Sequence, residues 1–149
     1  MRYLFSIILT LVLLSNLSAQ DSLTNDSAHL IMKIRGFNYL KSDSVTNGAN
    51  LNNPEILDTI ASYLKANPNL KVELHYHGSC NSSSKAYWDH STKRQAKGCM
   101  YYLISKGIDE KRIRAFGKGI NNLITDCNCG ECSENELYQN HRLEVIKIE

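Results

Sequence analysis

The stretch from Leu70 to His77 constrains this fold more than any other: Leu70, Val72, Leu74 and Tyr76 alternate with Lys71, Glu73, His75 and His77. A period of two sends the apolar set to one face of a strand and the polar set to the other. Such a strand needs sheet neighbours and a second layer over its apolar side. Helical patterns flank it. Asn53 before Pro54 reads as an N-cap with proline at the first helical position. Ile56, Ile60, Tyr63 and Leu64 then give one apolar stripe, which Asn67-Pro68 ends. A second helix is predicted from about Lys85 to Lys106, with the stripe Trp88, Thr92, Ala96, Cys99 and Leu103, and Gly107 as its left-handed C-terminal cap.

Three more strands complete the set: Leu30 to Arg35, Arg112 to Phe116 and Leu143 to Ile148. A long loop and a short helical piece, Ser133 to Gln139, separate the last two. The order is strand, helix, strand, helix, strand, short helix, strand. Strand–helix–strand units favour right-handed crossovers, so the expected fold is α+β: a two-layer α/β sandwich with helices on one face of a mixed sheet.

The chain's 149 residues suffice for one ordinary core, and a formal charge of +2, with basic and acidic residues interspersed, gives no footprint for nucleic acid. Residues 1–19 read as a signal peptide: Met1-Arg2 is the positive start, Tyr3 to Leu14 the apolar run, and Ser18-Ala19-Gln20 offers a cleavage site after Ala19. The apolar run is short for a bilayer span, so the mature chain is expected to have none. Residues 20–29 are then a flexible lead-in and 30–149 the domain. With no cysteine directly after the apolar run, a free-standing exported domain is expected, in the periplasm, either free or docked on an outer-membrane complex.

Three segments carry a family likeness: Tyr102-Leu103-Ile104-Ser105-Lys106-Gly107-Ile108, Gly117-Lys118-Gly119 and Asn140-His141-Arg142-Leu143-Glu144-Val145. Together with the element order, the stretch from Leu70 to Ile148 resembles the periplasmic OmpA-like domain. The resemblance implies the same two-layer fold and non-covalent association with peptidoglycan. In that family an aspartate and an arginine clamp the ammonium and carboxylate of a diaminopimelate stem residue. With Ala96 setting the register, the arginine position is Gln95 and the aspartate position Cys80, while the family asparagine falls on Trp88. Neither Cys80 nor Gln95 replaces one anion and one bidentate guanidinium. Each such charge-assisted contact is worth roughly 1.5–3 kcal/mol, so losing both costs two to four decades of affinity. Ser79, Asn140 and Arg142 keep family positions, His141 replaces the first arginine of the Asn-Arg-Arg run, and Arg94 is the candidate substitute for the lost arginine, though about 100° round the helix.

Of the five cysteines, Cys99 lies on the predicted buried stripe and reads as a small core hydrophobe. Cys80, Cys127, Cys129 and Cys132 are the disulfide candidates in an exported chain. Relatives carry a similar cysteine cluster in this loop, so the resemblance implies a loop-stapling bridge, with Cys127–Cys132 the first choice there. Zinc held by the loop thiols with Cys80 or a histidine is the weaker alternative, because only half of a paired-knuckle pattern is present. His75 and His77 share a strand face at roughly 7 Å, near enough for a shared metal or a pH-sensitive patch, but side chains on such a face are ordinarily solvated. No metal or cofactor is therefore assigned. Cys80 with His77 or His90 lacks any surrounding catalytic motif, so an enzyme is not expected. Two readings follow: association with peptidoglycan through Ser79, Arg94, Asn140 and Arg142, or a diverged module that has lost that ligand, with Trp88 covering the cleft, and binds an envelope protein.

Overall fold

The computed structural model describes residues 30–35, 54–81, 83–125 and 127–148. The leader, the lead-in, the polar stretch 41–53 and the Asn53 cap lie outside the described residues. The elements are β1 (Leu30–Arg35), α1 (Pro54–Ala66), β2 (Lys71–His77), α2 (Lys85–Ser105), a single 3-10 turn at Glu110–Arg112, β3 (Ile113–Gly119), α3 (Glu134–Asn140) and β4 (Arg142–Ile148). The four strands form one mixed sheet in the order β1-β4-β2-β3, in which β2 pairs parallel with β3 and antiparallel with β4, and β1 pairs antiparallel with β4.

The alternation in β2 decides the layers. Val72, Leu74 and Tyr76 are fully buried and join Leu143, Val145 and Ile113 on the side that packs against α1 and α2. From α2 come Ala96, Cys99 and Leu103, all fully buried, as the predicted stripe requires. The stripe of α1 differs from expectation. Leu57, Ile60, Ala61 and Leu64 face the core, whereas Tyr63 is exposed. These four follow the i, i+3, i+4, i+7 spacing of a helix face, which the larger side chains Ile56 and Tyr63 obscured in the sequence.

Local chemistry sets the ends. Ser84 caps α2 by accepting from the Tyr87 amide. Gly107, at φ 90°, closes it: the Gly107 amide donates to Ile104 and the Ile108 amide to Leu103, which is the Schellman pattern. Ser133 and Glu136 form a reciprocal capping box on α3. Arg112 donates to the carbonyls of Leu64, Asn67 and Leu70, satisfying groups left open where α1 ends.

Strand β3 runs three residues past the predicted Phe116, through the Gly117-Lys118-Gly119 segment. Its pairing with β2 continues to His77↔Gly119 after an irregularity. Gly117 is there because α2 crosses β3 at backbone contact. A Cβ on Gly117 would overlap the backbone of Lys93 and lie 2.6 Å from the Thr92 carbonyl carbon. Gly117→Ala is expected to cost at least about 2 kcal/mol through displacement of α2 from the sheet. Urea unfolding measures this, and a loss under about 0.5 kcal/mol would refute the close approach.

Candidate functional site

The positions that the resemblance makes important gather where β2 ends and α2 begins. Strand β2 delivers Gly78, Ser79 and Cys80 to that end, and α2 presents Trp88, Ser91, Thr92 and Gln95 on its buried side. Thr92 locks the two together. Its hydroxyl donates to the Trp88 carbonyl at 2.7 Å and accepts from the Gly119 amide at 3.0 Å, while the Gly78 amide donates to the Gly119 carbonyl at 2.8 Å.

Cys80 is 1% exposed and disulfide-bonded to Cys129, 49 residues downstream, with Cα atoms 4.7 Å apart. The second bridge joins Cys127 and Cys132, with Cα atoms 5.4 Å apart, and Cys99 is a buried free thiol. Burial raises the Cys99 pKa well above its ordinary value. The loop before α3 is thus tied to the end of the central strand at the position where the family carries its carboxylate. No thiolate is left at Cys80 to act as nucleophile or ligand.

Trp88 is only 5% exposed and lies flat over Gly78, where a Cβ would fall 2.8 Å from the indole Cδ2. Its Nε1 donates to Asn81 Oδ1 at 3.2 Å. The His141 ring stands edge-on to Trp88 at 5.7 Å and to Tyr76 at 5.6 Å, and its Nε2 meets the Tyr76 hydroxyl at 3.1 Å. Trp88 and His141, which the resemblance sets at the family's asparagine and first arginine, thus form an aromatic cluster with Tyr76. Gln95 is buried beside it, 5% exposed.

The four residues predicted to hold peptidoglycan do not converge on one open surface. Ser79 is buried beneath this cluster's end of β2, and Arg94 is exposed, one position off the buried face that carries Gln95. Asn140 is fully buried, accepts from the Ile124 and Thr125 amides at 2.7 and 3.1 Å and donates to the Thr125 carbonyl. Arg142 is nearly buried and donates to Glu144, to the Asn140 carbonyl and to the Asn122 carbonyl. Asn140 and Arg142 thus hold residues 122–125 in place. Asn81 and His141, which complete the cluster, carried no sequence signal as partners: their roles depend on contacts with Trp88 and Tyr76, and the Tyr76–His141 pair is separated by 65 residues.

His141 makes the cluster acid-sensitive. Desolvation lowers its pKa to about 4 from an ordinary 6.5. A lowered histidine means that the unfolded chain takes up the proton first, so stability is full above pH 6.5 and falls as pH drops from there towards 4. At pH 5 this one group should lower unfolding free energy by about 2 kcal/mol relative to pH 7.5. Urea titrations at both pH values measure the loss, and His141→Gln should reduce it. An equal loss in that variant would assign the effect elsewhere.

Comparison with known proteins places this geometry. The OmpA family profile matches residues 45–136, more than half of the chain. No protein of curated function matches the sequence. Among solved structures, the peptidoglycan-associated lipoprotein from Burkholderia pseudomallei superposes with TM-score 0.58 at 16% identity, covering 74% of this chain and 87% of that one. A periplasmic domain of Helicobacter pylori MotB gives 0.61 at 17% identity, covering 85% of this chain and 87% of its own. The OmpA-like domain of FopA1 from Francisella tularensis gives 0.57 at 12% identity, covering 91% and 94%. At these identities the structural likeness speaks for the fold, and the family profile speaks for descent. The chain belongs to the OmpA family.

Proposed function

We propose that residues 30–149 form a non-catalytic binding module of the cell envelope, working in the periplasm, and that its partner is an envelope protein rather than the diaminopimelate zwitterion. One observation carries this reading: Cys80, at the position of the family's clamping aspartate, is 1% exposed and spent on a disulfide to Cys129. A carboxylate there would present a full negative charge to an ammonium group. A disulfide presents none. Gln95 cannot replace a bidentate guanidinium, and Arg94 faces away. No helix among the described residues is long and apolar enough to cross a membrane.

Family membership supports a second reading, that association with peptidoglycan persists without the clamp. The Burkholderia neighbour is by name a peptidoglycan-associated protein, and an anionic stem peptide could be met by backbone amides after β2 in place of side chains. The two readings separate in one experiment. The domain and the Burkholderia protein are sedimented with purified sacculi, with and without free diaminopimelate. The first reading predicts that the control pellets and this domain stays in solution. Pelleting of this domain that diaminopimelate competes away would establish the second.

A further inference from the structure

The sheet face opposite α1 and α2 carries groups that the envelope-binding reading does not use. On β2 these are Glu73, His75 and His77, and on β4 they are Arg142 and Glu144. Register places His75 opposite Glu144 and His77 opposite Arg142. Sequence alone suggested a solvated face. Instead His77 is 3% exposed and the His75 side chain 14%. The reason is position: β2 is an inner strand, flanked by β4 on one edge and β3 on the other, with Phe116 edge-on to His75 at 5.5 Å.

One ring nitrogen from each histidine and a carboxylate oxygen of Glu144 lie within 4.8 Å of one another. His77 Nε2 and Glu144 Oε2 are 3.2 Å apart. Ligands about 2.0–2.2 Å from a tetrahedral zinc ion are themselves separated by about 3.3–3.5 Å. The His77–Glu144 contact is a hydrogen bond; with the His77 proton on Nδ1, Nε2 offers its lone pair along the same edge, and a side-chain rotation at His75 brings in the third ligand. We propose that His75, His77 and Glu144 form a binding site for a divalent transition-metal ion of the zinc type, with the remaining position open to water.

The donor set suits that ion: two imidazoles and one carboxylate are a known zinc-ligand combination, and imidazole disfavours calcium or magnesium. The surrounding bonds orient the ligands. Glu73 accepts from His75 at 2.8 Å, and Arg142 Nε donates to Glu144 Oε1 at 2.8 Å, which leaves Oε2 turned to His77. Carboxylate-to-histidine contacts of this kind fix ligand geometry in metal sites.

Positive charge nearby opposes binding. Lys33 on β1 is 3.7 Å from Glu144, Arg142 is bonded to it, Arg114 on β3 is 3.8 Å from Glu73, and Lys118 lies near His75. Among the described residues two carboxylates, Glu73 and Glu144, offset these cations, so binding is expected at micromolar metal rather than at the levels of a structural zinc site.

The test uses tag-free protein with its disulfides intact, which keeps Cys80, Cys127, Cys129 and Cys132 from acting as ligands. Cobalt(II) is titrated while visible absorption is followed, and zinc(II) is then added as competitor. The expected result is one equivalent of cobalt with tetrahedral-type bands that zinc abolishes. His75→Ala and Glu144→Gln should each weaken binding by roughly 100-fold or more, beyond what loss of an orienting partner causes. His90→Ala, an exposed histidine on α2, should change nothing. Glu144 also holds His77, Arg142 and Lys33, whereas the His75 ring bonds Glu73 on its own strand, so truncation of His75 tests the site even where Glu144→Gln unfolds the domain. No binding at about 100 µM metal, or binding that survives His75→Ala in folded protein, would overturn the proposal.

Discussion

The covalent tie between Cys80 and Cys129 is the constraint on which the end of the domain where β2 exits depends. It joins the exit of an inner strand to a loop that precedes α3 and β4. Closing 49 residues of chain removes about 4 kcal/mol of entropy from the unfolded state. The Cys127–Cys132 bridge, spanning only five residues, constrains the unfolded chain less and mainly sets the local shape of the loop. Asn140 and Arg142 then fasten residues 122–125 from the inner side.

The two sides of β2 explain why fold and site were unequally legible. Its apolar face, the α2 stripe and the caps at Ser84, Gly107 and Ser133 follow from local pattern, because period and capping chemistry are sequence-local properties. The face of α1 is half legible: Ile60 and Leu64 point inward as expected, but Ile56 and Tyr63, being large and apolar too, hide Leu57 and Ala61. Strand β3 was cut short at Gly117, because a glycine that permits close helix approach looks in sequence like one that permits a turn. The histidine face was read as solvated, since burial there depends on β2 being an inner strand, which only topology decides.

Site residues were harder still. The matches at Asn140 and Arg142 were visible by motif, but their partners, residues 122–125, lie in a loop without period. Arg94 was a candidate by proximity in sequence, and the helix turns it away from Gln95. That Cys80 and Gln95 carry no charge is legible at once, because an absent charge needs no geometry to recognise. The cluster of Trp88, His141, Tyr76 and Asn81 is not, because those residues meet only in three dimensions.

The central claim is that the acid position of the family clamp is consumed by a disulfide. Peptide mapping under non-reducing conditions, after alkylation of the native protein, tests it most directly. The expected fragments link Cys80 to Cys129 and Cys127 to Cys132, with Cys99 alkylated only after unfolding. An alkylated Cys80 in the native protein, or Cys80 recovered as a free thiol, would contradict the account.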